Sequence, residues 1–164
     1  WDIMTGKSLH IFKEDLNSVI SLTVSDNGEL ISGSEDKTIR IWDIKDGKCL
    51  RILNSHYGWI NALITNRNGE LISGCNNGVI KIWNIESGQH LNTFSYSYPI
   101  RSLAFGINGE LLISLNQNIK IVDIKSGQCL RELGNGLVSY ASLLIGNHNE
   151  LISKCSDCTF KIWC

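Results

Sequence analysis

The sequence predicts an all-β fold assembled from four copies of one four-stranded antiparallel unit, and three observations carry that expectation. A Trp-Asp-Ile signature recurs. Trp1-Asp2-Ile3, Trp42-Asp43-Ile44 and Trp83-Asn84-Ile85 stand 41 residues apart, Val122-Asp123-Ile124 follows after 39, and Trp163-Cys164 closes the series 41 residues later. Self-similarity at a fixed period of this size marks a repeat architecture. Composition agrees, because 15 glycines against one proline, with abundant Ile, Leu, Val and Trp, favour many short strands joined by tight turns. Finally, no stretch of the chain carries a sustained helical periodicity.

Each unit runs in the same order: an outer strand, an innermost strand, a turn, a second strand with a central Ser, and a third strand ending at the Trp. In the first unit the strands are expected at about 8–13, 19–24, 29–33 and 38–42. Gly28-Glu29-Leu30, Gly69-Glu70-Leu71 and Gly109-Glu110-Leu111 mark the turn in three units, and Asn149-Glu150-Leu151 in the fourth. Gly and Asn both tolerate positive φ, so one turn geometry serves all four. Ile39-Arg40-Ile41-Trp42, Ile80-Lys81-Ile82-Trp83, Ile119-Lys120-Ile121-Val122 and Phe160-Lys161-Ile162-Trp163 alternate apolar and basic residues, as strands with one polar face do. The units divide the chain at about 1–41, 42–82, 83–121 and 122–164.

A period near 40, four short strands per unit and the Trp-Asp signature resemble the WD-repeat β-propeller family, over the whole chain. The resemblance implies a β-propeller of four-stranded antiparallel blades, four of them here, serving as a protein-interaction scaffold and not as an enzyme. Family members mostly have seven or eight blades, and seven at this period need about 290 residues. An open half-ring exposes two apolar blade faces, at on the order of 10 kcal/mol each. Three arrangements answer that cost: an eight-bladed homodimer, which is favoured, a tight four-bladed ring, or a fragment of a longer chain.

The resemblance also implies blades braced by a buried network of His, Asp, Ser or Thr, and Trp, and no unit has the full set. The second has His56, Ser73 and Trp83 with Asn77 in place of Asp; the first has Ser32, Asp36 and Trp42 with Asp15 at the His position. The fourth has Ser153, Asp157 and Trp163 with Gly136 there, and the third retains only Ser114, its Trp replaced by Val122. The third unit is therefore the expected weak blade. His56, Asp36 and Asp157 are read as bracing residues and not as catalytic ones, since none accompanies a nucleophile motif.

Binding positions are sought among residues that vary while the scaffold repeats. By the same resemblance, the residues flanking the apolar head of each innermost strand, with the residue before the turn Asp, line the top face. Glu35, Trp59, Asn61, Asn76 and Arg101 are the contact residues so assigned, and Tyr57, Tyr96 and Tyr98 add aromatic residues in neighbouring loops. The partner expected is a protein or peptide; the alternative function is a regulatory or sensor module of a larger signalling protein.

Other classes find little support. The net charge of −1 argues against nucleic acid or a membrane surface as partner. No apolar stretch approaches the roughly 18 residues that cross a bilayer, and no signal-peptide pattern opens the chain. Because it begins at Trp1 and not Met, the chain is expected to be an excised or processed segment, with any targeting sequence upstream. There is no phosphate-binding glycine loop, nucleophile elbow or metal-ligand set, so no cofactor, metal or catalytic residue is expected. Cys155-Ser156-Asp157-Cys158 has zinc or redox spacing but no second pair. Cys49 matches Cys129 and Cys75 matches Cys155 in the repeat, which reads as small buried apolar residues. Reduced thiols imply an intracellular, cytoplasmic setting.

Overall fold

The computed structural model describes residues 4–8, 11, 12, 17–54, 56–134, 139–148 and 150–163. Among them there are strands and turns and no helix. The first blade is β1 (Val19–Val24), β2 (Leu30–Ser34), β3 (Ile39–Trp42) and β4 (Cys49–Leu53), hydrogen-bonded in that order. The second is β5 (Ile60–Thr65), β6 (Glu70–Cys75), β7 (Val79–Asn84) and β8 (His90–Ser95). The third is β9 (Ser102–Phe105), β10 (Leu111–Ser114), β11 (Ile119–Val122) and β12 (Cys129–Leu133). The fourth has three strands, β13 (Tyr140–Ile145), β14 (Leu151–Cys155) and β15 (Phe160–Trp163). Every pairing is antiparallel.

The turn between innermost and second strand is one solution used four times. Ser25, Asn66, Gly106 and Gly146 each donate an N–H to the carbonyl of the Glu four residues on, at 2.8–3.0 Å. Gly28, Gly69 and Gly109 sit inside it at φ of 80°, 74° and 83°, a conformation that costs a side-chain-bearing residue free energy.

The outer strand of each complete blade follows the Trp42, Trp83 or Val122 position that closes its third strand, so a blade borrows its last strand from the next sequence unit. The outer strand expected at 8–13 is not formed at its described residues: Ser8, Ile11 and Phe12 are irregular, and the remainder lies outside the described residues. A strand needs a partner, and the third strand of a preceding blade is what this segment would pair with.

Blades are held by a plug and a socket. The heads of the innermost strands, Ile60, Ile100 and Tyr140, are fully buried against the preceding blade. Ile60 fills the space at Gly33, where a Cβ would stand 2.5 Å from Ile60 Cγ2; Ile100 fills that at Gly74; and Ser114 donates its hydroxyl to the Tyr140 carbonyl. This corrects the assignment of Ser114 to the bracing network. Ser73 lies opposite Lys81, but the residue opposite Lys120 is Ile113, and Ser114 takes the place of Gly74. The third blade thus has Ile113 and Val122, both fully buried, where its neighbours have Ser and Trp.

The four blades form an arc. β5 packs on β1 and β2, β9 on β5, and β13 on β9 and β10, whereas no comparable packing joins the fourth blade to the first among the described residues. The tight four-bladed ring is therefore not adopted, and apolar side chains at both ends of the arc stay in solvent.

Candidate interaction face

Innermost and second strands are joined by the turn at one end of a blade, so their free ends meet at the other. There Glu35 N–H donates to Ser18 C=O at 3.0 Å, Asn76 N–H to Trp59 C=O at 3.0 Å and Ser156 N–H to Ser139 C=O at 2.9 Å. In the third blade Arg101 N–H donates to Ser114 C=O at 2.9 Å, and Asn116 C=O accepts from Tyr140 N–H. These backbone bonds mark a rim, and the assigned contact residues Glu35, Trp59, Asn76 and Arg101 lie on or beside them.

Trp59 is held on that rim by its backbone, and the residue stays 47% exposed. Its N–H donates to Asn76 Oδ1 at 3.0 Å, and its carbonyl accepts from Asn76 N–H. Asn76 can approach this closely because a side chain on Gly58 would collide with its amide oxygen. An aromatic residue fixed at its backbone loses little freedom when a partner covers it.

Of the other assigned residues, Arg101, Tyr57 and Tyr98 are exposed, and Glu35 and Asn76 are half-buried. Asn61 is half-buried too, and its Nδ2 donates to the Ile100 carbonyl at 2.9 Å, which ties the second blade to the third. Tyr96 packs against the core between those blades with its hydroxyl buried and unbonded, and burial, reinforced by Cys129, pushes its phenol pKa up. No ring contact joins Tyr57, Tyr96 and Tyr98 among the described residues. Tyr96 is thus an inter-blade packing residue, and the exposed aromatic residues of the rim are Tyr57, Trp59 and Tyr98.

Behind the rim lie the bracing groups. Trp42, Trp83 and Trp163 each donate the indole N–H to Ser32, Ser73 and Ser153, at 2.8, 2.9 and 2.9 Å. His56 Nε2 completes the second network at 2.7 Å from Ser73 Oγ. Burial, with smaller contributions from Lys81 and His90, lowers the His56 pKa to about 4. Asp36 and Asp157 bind their own turns through Thr38 and Thr159, and Asp36 pairs with Arg40 at 2.9 Å. Asp15 and Gly136 lie outside the described residues.

Among the described residues no three His, Cys, Asp or Glu side chains converge as a metal site. Cys75 and Cys155 are buried, as the repeat implied, but their counterparts on the outer strands differ: Cys49 is half-buried and Cys129 exposed. Outer strands have solvent on one side, which sequence spacing alone does not reveal. A groove of about 1000 Å³ opens at the turn end, lined by Arg67, Leu91, Asn92, Ile107 and Lys125. Its signal was Ile107, apolar where the equivalent turns carry Asp26, Arg67 and Asn147.

With blades, turns and bracing groups in place, comparison with known proteins assigns the family. Residues 6–43 and 47–84 match the model of the WD domain, G-beta repeat. The chain belongs to the WD40-repeat family. The computationally designed Ika4 protein is 30% identical, with a TM-score of 0.81 over 96% of this chain and 98% of that one. The WD40 β-propeller domain of Doa1 is 21% identical, with a TM-score of 0.83 over 92% of this chain and 52% of that one. The WD40 chain therefore spans about half the length of that domain. No curated protein sequence matches it. The family as a whole supplies protein-interaction domains, and no helix of this member is long and apolar enough to cross a membrane among the described residues.

Proposed function

We propose that this WD40 chain is a non-catalytic scaffold that presents the rim around Trp59 to a protein or peptide. The observation that carries the reading is Trp59 itself, a large aromatic residue left half in water on a backbone clamped by Asn76. The equivalent positions hold Ser18, Pro99 and Ser139, so no packing rule of the repeat demands an indole there. Arg101 supplies an exposed guanidinium on the same rim, and Trp with Arg is a pairing enriched at binding hot spots. Asn61 lies between them, although its amide already serves the Ile100 carbonyl.

An intracellular setting belongs to the same reading and is supported by Cys75, Cys129, Cys155 and Cys158, which make no disulfide among the described residues. The deciding experiment compares proteins captured by the wild type with those captured by a Trp59→Ala, Arg101→Ala double variant. Loss of the same captured species from the variant supports the reading; an unchanged set removes it.

A further inference from the structure

We propose that the turn-end groove between the second and third blades is a second docking site, for an extended segment of a partner protein that carries an acidic residue next to an apolar one. The groove lies in the interior of the arc, between two complete blades that each have a blade packed on either side. The matching place between the first and second blades shows what the repeat ordinarily does there. That space holds about 160 Å³, against about 1000 Å³ here.

Differences at equivalent positions open the second seam. On β4, Arg51 lies along Gly88 of the next blade and carries a buried Nη1 to 3.6 Å from Glu29; its counterpart on β8 is Asn92, too short to fill the same space. Thr65 donates its hydroxyl across the first seam to Val24 C=O at 3.1 Å, whereas Phe105 holds that position in the third blade and has no hydroxyl to give. Asn66 caps its turn by accepting the Glu70 N–H at Oδ1, and Gly106 has no side chain to do so. Ile85 N–H donates to Gly69 C=O at 3.0 Å and Ile85 is buried; among the described residues no such bond ties Ile124 to Gly109, and Ile124 is half-buried. The first seam is stitched shut, and the second is not.

The open seam presents an apolar strip. Ile107 is 72% exposed and Leu91 45% exposed, with half-buried Phe105 and Ile124 beneath them. Ile107 occupies a turn tip where the fold asks only for a polar residue, so its side chain is free to meet a partner. Charge selects the kind of partner. Arg67 stands on the second-blade wall and Lys125 on the third-blade wall, both exposed, and neither forms an ion pair among the described residues. Of the nearby carboxylates, Glu70 is bonded to Asn66 Nδ2 at 2.6 Å, Asp123 is bonded to Ser126, and Asp26 borders the groove only from the first blade. Two cations flanking an apolar strip favour a segment with a carboxylate beside its apolar side chain and disfavour a basic one. A groove of this volume is large enough for such a segment.

Selection of a displayed library of random short linear peptides on the full chain tests this. The expected winners carry Asp or Glu next to Leu, Ile or Phe and bind an Ile107→Asp variant about tenfold or more weakly. That variant gives the third turn the residue type that Asp26 supplies in the first, at a position mostly in solvent, so its fold is retained. Lys125→Glu should weaken the same peptides about threefold and reverse their charge preference, so that a peptide with its acidic residue changed to Lys binds this variant better than the wild type. A library that yields no binder, winners without an acidic residue, or winners that all bind Ile107→Asp as tightly as the wild type overturn the proposal. Peptides held by the Trp59 rim fall in that last class and are recognised by their loss from the Trp59→Ala, Arg101→Ala variant, so the two sites fail separately.

Discussion

His56 Nε2 lies 2.7 Å from the Ser73 hydroxyl, yet Nδ1 of the same ring is buried without a hydrogen-bond partner. A buried ring with one satisfied nitrogen tolerates the neutral imidazole and resists a second proton, which puts its pKa at about 4 against an ordinary 6.5. The unfolded chain takes up that proton near pH 6.5 and the folded chain does not until about pH 4. This contribution to stability is complete above pH 6.5, falls as pH drops to about 4, and is constant below. Its size is about 3 kcal/mol, from about 1.4 kcal/mol for each pH unit of displacement. Denaturant midpoints across pH 7.5 to 4 should fall in the wild type and fall less steeply in a His56→Asn variant; parallel curves refute the assignment.

Asn77 explains the orphan nitrogen. It stands where the family network has Asp, and its amide lies close to the position a Cβ on Gly58 would take, two residues from His56. Its Oδ1 engages the Cys75 thiol instead. Asn77→Asp supplies a carboxylate for Nδ1–H, so the expected results are a higher His56 pKa by NMR titration and about 1 kcal/mol of added stability at pH 7. An unmoved His56 titration removes the proposed contact.

Strands and turns were legible because alternation and a positive-φ glycine leave marks in sequence, as at Gly28, Gly69 and Gly109. The third blade was misread because Ser114 resembles a bracing Ser, although a countable signal existed. Ser32, Ser73 and Ser153 each lie four residues after the turn Gly or Asn, and four after Gly109 is Ile113. A shift of one residue flips a strand side chain to the opposite face, so the count outranks the residue type. The packing of Tyr96 was not legible for another reason: whether a loop aromatic faces solvent or a neighbouring blade depends on contacts between blades, which a single repeat does not encode. The expectation of a weak third blade now rests on Ile113 and Val122 packing in place of a polar brace, with no orphaned polar group in either side chain.

The plug and socket give a sharp steric prediction. Gly74 has ordinary backbone angles, so Ala is locally acceptable there, but its Cβ would collide with Ile100 Cγ2. Gly74→Ala should destabilise by about 1–3 kcal/mol. Removing the obstruction with Ile100→Ala in the same chain should make the pair of changes cost less than the sum of the two alone. Additive losses in that cycle mean that the two residues do not meet.

Trp59 separates binding from packing within one side chain. Its backbone bonds to Asn76 survive substitution, because they use the Trp59 N–H and carbonyl and not the indole. The residue is about half in solvent, so truncation to Ala removes apolar burial on only part of its surface. The expected loss of stability is below about 2 kcal/mol, which for a chain of this size lowers the melting temperature by no more than about 8 °C. Partner affinity should fall by at least tenfold, equivalent to about 1.4 kcal/mol. Calorimetry on the folded variant and titration against the captured partner read the two effects separately. A large fall in melting temperature with unchanged affinity would make Trp59 a packing residue and move the binding face elsewhere.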